Sequence, residues 1–279
     1  MTLSSFSQES ALLPALPLIV ISDLDGTLLD HHSYDFRPAM PALACLRQLK
    51  IPCILNSSKT FDEMLGLRQQ LQNKDPFVCE NGGAVFLPKE NGHGFNCEVT
   101  GSSYNRIVKA LNTLRQQGFK FRGFNDMAVA EIAAVTGLSE EQAALARKRN
   151  ASEPLLWQDT EERLQEFSGA LACENLRALK GGRFIHVMGN NDKADAVKFF
   201  RDYYQKLWQM DVRVIAAGDG ENDQAMLEAA DYPLIIPGET ATLTLNNPAA
   251  ITAPAKGPAG FNTALLALLQ TIGKEVARG

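Results

Sequence analysis

Four short runs in this chain are almost continuously apolar: LPLIVIS at 16–22, IPCILNSS at 51–58, VRVIAAG at 212–218 and YPLIIP at 232–237. A strand with one wet face alternates polar and apolar residues, whereas a run that is apolar at consecutive positions must be covered on both faces. Strands of that kind belong in a parallel sheet with helices packed against it. The segments between them have the matching helical period. Residues 38–50 put Leu43, Leu46 and Leu49 on one stripe, and 192–208 do the same with Val197, Phe200, Tyr204 and Leu207. Residues 60–72 open with Thr60 and Glu63 at capping-box spacing and continue with Met64, Leu67 and Leu71. Strand and helix in alternation predict an α/β fold with crossover helices.

The pattern breaks in the middle. From about 88 to 188 the segments are more polar, with glycine-rich turns at KENGHG and KGGR. Helical stretches at 104–117 and 139–149 lie between the strand-like KFRGF and RFIHVMG. This predicts an inserted α+β domain over 88–188, with the core built from 1–87 and 189–279. With 279 residues the chain has enough length for such a two-part plan.

Charge and cysteines narrow the classes of function. The 27 basic and 32 acidic residues leave a net charge of −5 without a long basic run, so no nucleic-acid face is expected. The five cysteines, at 45, 53, 79, 97 and 173, have no metal-binding spacing, and Cys53 and Cys79 read as small core residues. Thiols scattered in this way fit a reducing, cytoplasmic setting. Residues 1–15 read as a loose leader without a basic start, and no apolar run reaches the ~18 residues of a membrane span.

Polar residues gather where apolar strands end, which in an open α/β sheet is the edge where ligands bind. In VISDLDGTLLD, Asp23 and Asp25 leave the first strand two residues apart and are expected to enter one site. One could serve as a nucleophile and the other could pass a proton. In NSSKT, the hydroxyls of Ser57 and Ser58 and the charge of Lys59 suit a phosphate at a helix start, though plain capping explains the same residues. Lys193 opens another helix and could neutralise a phosphate or a carboxylate pair. In AAGDGENDQAML, Asp219, Glu221, Asn222 and Asp223 crowd one turn, a donor set suited to a hard cation such as Mg²⁺. Together these groups supply what phosphoryl transfer needs, which is positioning and neutralised charge. His31 and His32 read as a solvated loop, and His186 as a structural histidine or a substrate contact.

These four stretches, in this order, resemble the motifs of the haloacid dehalogenase-like phosphohydrolases: DLDGTLLD the first, LNSS the second, Lys193 the third and GDGEND the fourth. The resemblance implies a Rossmann-like parallel-sheet core, and the long insertion resembles the larger α/β cap of the sugar-phosphatase branch. NSSKT, ENGG at 80–83, ARKRNASEP at 146–154 and GGRFIHVMG at 181–189 are further similar to mannosyl-3-phosphoglycerate phosphatase. In NDKAD an alanine follows the lysine where the family often has glycine, and RKRNASEP has asparagine where an acid is expected.

Carried over residue by residue, the resemblance makes Asp23 the nucleophile and Asp25 the general acid and base. Mg²⁺ would be held by Asp23, the Asp25 carbonyl, Asp219 and Asp223, with Asn222 as support or substrate contact. Ser57 would hydrogen-bond the transferring phosphoryl group, and Lys193 would neutralise it. Ser58, Lys59 and Arg183 would contact the phosphoglycerate end of the substrate. The expected partner is therefore a small phosphorylated sugar or glycerate. Alternatives are a phosphatase of another sugar phosphate, a phosphomutase, and a non-catalytic sensor of phosphorylated metabolites.

Overall fold

The computed structural model describes residues 16–181, 183–238 and 243–276, so the leader expected over 1–15 lies outside the described residues. In chain order the elements begin with β1 (Leu18–Ser22), α1 (Met40–Leu49), β2 (Cys53–Asn56), α2 (Phe61–Gln70), β3 (Phe77–Cys79), β4 (Ala84–Pro88) and β5 (Phe95–Val99). They continue with α3 (Tyr104–Gln116), β6 (Phe121–Gly123), α4 (Val129–Thr136), α5 (Glu140–Ala146), β7 (Ser152–Trp157), α6 (Glu161–Cys173), β8 (Leu176–Gly181) and β9 (Phe184–Gly189). The last are α7 (Lys193–Trp208), β10 (Arg213–Gly218), α8 (Gln224–Glu228), β11 (Tyr232–Ile235), β12 (Ile251–Thr252) and α9 (Gly257–Val276). All four apolar runs are strands, and the capping box opens α2: Glu63 N donates to Thr60 Oγ1 while Thr60 N donates to Glu63 Oε2.

Two compact units divide the chain, Met1–Ile54 with Val197–Gly279, and Leu55–Ala196. In the first, the strand order is β12-β11-β10-β1 followed by β2, and the pairs β1/β10, β10/β11 and β11/β12 are parallel. Every residue of β1 is buried, as a run apolar at consecutive positions requires. Helix α1 lies against α9, where Ala42 N donates to Asn262 Oδ1 at 2.8 Å. Phe261 and Leu265 on α9 are fully buried.

The second unit begins within β2, which pairs parallel with β3, and the chain then departs from the expected parallel pattern. Strands β3, β4 and β5 form an antiparallel meander. Its first turn is made by Glu80, Asn81 and Gly82, all with positive φ. A separate four-stranded antiparallel sheet has the order β6-β7-β9-β8. It is apolar on both faces. Leu155, Ile185 and Val187 join Ile107 of α3 and Phe167 of α6 on one side. Leu156 and Phe184 pack with Phe124, Ile132 and Ala143 on the other, under α4 and α5. Helix α4 escapes the helical-period reading because its sequence, VAEIAAVT, has apolar residues almost all round and no polar stripe. No described helix is long and apolar enough to cross a membrane.

Candidate active site

The acidic residues of the first unit converge. Strand β1 ends at Ser22, and the ladder runs one residue further through Asp23 N to Ala217 O at 2.9 Å. This brings Asp23, only 6% exposed, to the end of β1 beside the end of β10. The chain then turns tightly, with Gly26 N donating to Leu29 O and Leu29 N to Leu24 O, both at 2.8 Å. Gly26 sits at φ +84, and a Cβ there would lie 2.3 Å from Asp219 Oδ2. Only glycine fits: the turn needs a left-handed residue, and the Asp219 carboxylate occupies the space a side chain would take. Thr27 Oγ1 also donates to Asp219 Oδ1, at 3.4 Å.

After β10 the backbone wraps around Asp223, which is fully buried. Its Oδ2 accepts from Asp219 N and Gly220 N, both at 3.1 Å, so one carboxylate organises the whole turn. Carboxylate oxygens of Asp23, Asp219 and Asp223 lie within 4.8 Å of one another. Three anions so close repel unless a cation lies among them, and an all-oxygen donor set suits a hard one such as Mg²⁺. Asp25 is half-buried and bridges to Leu29, while Asn222 is exposed on the turn and lays its Oδ1 over Gly220.

The second unit gathers the other predicted residues. Asn56 and Ser57 are fully buried, and Lys193 is 1% exposed. Asn56 Nδ2 donates to the Lys193 carbonyl at 3.0 Å, tying the end of β2 to the start of α7. A lysine at a helix N-terminus opposes the helix dipole, and burying its charge is costly, so helix stability does not account for it. The helix start is capped by other groups: Asp192 Oδ1 accepts from Ala194 N at 2.7 Å, and Asp195 Oδ2 accepts from Asp192 N at 2.9 Å. Ser57 Oγ accepts from Lys59 N at 3.2 Å, and Ser58 and Lys59 are half-buried beside it. Arg183 is exposed in the β8–β9 turn, with Nη1 donating to the Val135 carbonyl at 2.6 Å.

Of the histidines, His31 and His32 are exposed. His186 is on β9 with Nδ1 buried and unpartnered, and burial, helped by the positive Arg149, pushes its pKa down to about 3. The imidazole is therefore neutral. Cys53 and Cys79 are core residues, and burial pushes the Cys79 thiol well up, as expected for an inert thiol. Sequence reasoning passed over Glu80, Arg149 and Glu153, although ENGG and ARKRNASEP contain them. Glu153 is 1% exposed, and its Oε1 accepts from Asn125 N and its Oε2 from Tyr104 OH. Burial holds its carboxyl above the usual range.

In a parallel α/β core, carboxylates converging at strand ends lie where ligands bind. A sequence profile of the haloacid dehalogenase-like hydrolases matches residues 20–237, and the chain belongs to that family. Among solved structures, the phosphatase BT1666 from Bacteroides thetaiotaomicron superposes with a TM-score of 0.65 at 20% identity, over 95% of this chain and 99% of that one. Protein 0175 of Thermoplasma acidophilum gives 0.64 at 17% identity, over 88% and 95% of the two chains. The subclass IIB sugar phosphatase BT4131 gives 0.61 at 14%, over 90% and 98%. At these identities the likeness establishes the fold.

Proposed function

We propose that the protein is a Mg²⁺-dependent phosphatase that hydrolyses 2-O-(α-mannosyl)-3-phosphoglycerate to mannosylglycerate and phosphate. The observation that carries the chemistry is the acid trio of Asp23, Asp219 and Asp223, gathered within 4.8 Å around a turn that admits only glycine at 26. The Asp23 carboxylate attacks phosphorus, forming an acyl-phosphate as the bond to the substrate oxygen breaks. Asp25 gives its proton to that leaving oxygen, then takes one from the water that hydrolyses the phospho-aspartate. Asp23, the Asp25 carbonyl, Asp219 and Asp223 would hold the cation, with Asn222 beside them. The metal, when bound, supplies charge neutralisation for the phosphoryl oxygens. Ser57 hydrogen-bonds the transferring group, and the buried Lys193 balances its charge.

Residues 88–188 act as the specificity domain in this reading, with Ser58, Lys59 and Arg183 toward the glycerate end. The mannosyl substrate is supported by NSSKT, ENGG, ARKRNASEP and GGRFIHVMG, which lie outside the carboxylate machinery. A substrate comparison tests it. With Mg²⁺, kcat/KM for the mannosyl ester is expected to exceed that for mannose 6-phosphate, glucose 6-phosphate and 3-phosphoglycerate by at least about tenfold. A different preferred ester would replace the substrate. Transfer between isomers with little free phosphate would make the protein a mutase. Binding without turnover of any ester would make it a sensor.

A further inference from the structure

The loop after β2 is held by an arrangement that the proposed chemistry does not use. Three consecutive carbonyls, of Ser57, Ser58 and Lys59, accept from Asn81 N at 3.0 Å, Arg149 Nη1 at 3.0 Å and Glu80 N at 3.1 Å. The outer two bonds are backbone bonds from the turn after β3. The middle one depends on a side chain 91 positions along the chain. That guanidinium is itself fixed, with Nε donating to Ala146 O at 2.9 Å and Nη1 reaching Ser152 Oγ at 3.3 Å.

Glu80 secures the same segment. It is fully buried, with φ +55, and its carboxylate accepts from Asn150 N at 2.8 Å, Ala151 N at 3.1 Å and Ser152 Oγ at 2.7 Å. Thr60 Oγ1 adds a bond to Leu145 O at 3.0 Å. A buried carboxylate and a guanidinium are costly unless fully hydrogen-bonded, and both charges here are spent on backbone and hydroxyl groups. What they accomplish is placement. ENGG and ARKRNASEP meet through these bonds.

We propose that Arg149, located by Glu80 and Ser152, is a positioning residue for the Ser57–Lys59 loop, fixing the groups that meet the phosphoryl group. This rests on the phosphatase reading for its catalytic consequence. Misplacing such groups by about 1 Å costs on the order of a hundredfold in rate. Because Arg149 acts through the loop and not on the substrate's sugar or carboxylate, its loss should fall on every ester alike.

The test compares the mannosyl ester with p-nitrophenyl phosphate, which has neither sugar nor carboxylate. Arg149→Met is expected to lower kcat about 10- to 100-fold on both, with KM changed less than about threefold. Arg149→Lys, which keeps the charge and one donor, should recover part of the loss. A raised KM for the mannosyl ester alone, with p-nitrophenyl phosphate turnover intact, would make Arg149 a substrate contact and overturn the proposal. Unchanged kcat on both would do the same. Should Arg149→Met not fold, Ser152→Ala is expected to give the same pattern at a few-fold loss, and unchanged kinetics there would count against the clamp. Amide hydrogen exchange separates this from failure of the phosphatase reading. If the wild-type protein hydrolyses no ester, that reading falls, yet exchange over residues 56–61 should still quicken in Arg149→Met, or in Ser152→Ala where that variant replaces it, with β10 unchanged. Equal exchange in the variant and the wild type would overturn the positioning role itself.

Discussion

The two units each contain a buried polar centre, and the centres are built on opposite principles. In the first, Asp23, Asp219 and Asp223 bring like charges together around a glycine turn, an arrangement that is costly in the folded chain alone. In the second, Glu80, Arg149 and Ser152 form a set in which each charged group meets several donors or acceptors. The first centre reads as a set of donors suited to a cation, the second as a fastening. Like charge held together marks reactivity, and satisfied charge marks placement.

The contrast is sharpest toward Mg²⁺. Added at about 100 times its dissociation constant, the ion should stabilise the wild-type protein by about 2.7 kcal/mol in thermal or urea unfolding. Asp219→Asn should lose most of that gain, whereas Glu80→Gln should keep it despite a lower starting stability. Equal gains in wild type and Asp219→Asn would dissolve the distinction between the centres.

Crowding gives the next largest effect. Gly26 and Gly92 both have left-handed backbones, at φ +84 and φ +73, but a Cβ at Gly92 meets nothing within 4 Å. Gly92→Ala should cost about 1 kcal/mol from backbone strain alone. Gly26→Ala should cost roughly 2–3 kcal/mol and also displace the Asp219 carboxylate, so that turnover falls with stability. Denaturant midpoints for the pair check this, and equal costs would show that Asp219 yields freely.

Acid bears on the second unit. His186 has its pKa pushed from the ordinary 6.5 to about 3 by burial, so an unfolded chain takes up a proton that the folded one refuses. Stability should therefore fall as pH drops below about 6.5, by up to about 2 kcal/mol at pH 5. Unfolding of His186→Gln at pH 7.5 and 5 should lack that part of the loss. Glu153 works in the other direction. Its raised pKa gives a contribution that is present in acid and fades as pH rises past the ordinary 4.5. Identical acid slopes for wild type and His186→Gln would contradict the burial of the ring.

The same contrast explains what could be read from the chain. Asp219 and Asp223 fall within five residues at the end of an apolar run, so local sequence announces both the strand and the cluster. Asp23 follows another such run, at 16–22. The fastening joins Glu80 to residues 70 to 72 positions away, through a turn in which Glu80 and Asn81 take left-handed backbones that non-glycine residues rarely signal. For the same reason the β3–β4–β5 meander was hidden, since its reversal depends on that turn. Helix α4 was missed because its apolar residues run almost all round, and α6 was missed although Leu164, Phe167 and Leu171 lie on one stripe. RFIHVMG, by contrast, reads as a strand and is one, β9, although its alternation does not announce the cover that the sheet has on both faces.

Trapping the phospho-enzyme intermediate tests the proposed role of Asp23 as nucleophile most directly. Wild-type protein is mixed with Mg²⁺ and the mannosyl ester, quenched in acid within the first turnover, digested and analysed by mass spectrometry. A phosphoryl group is expected on the peptide containing Asp23 and is expected to be absent in Asp23→Asn, whose kcat should fall at least about a thousandfold. Phosphoryl transfer to another residue, or undiminished turnover in Asp23→Asn, would contradict it.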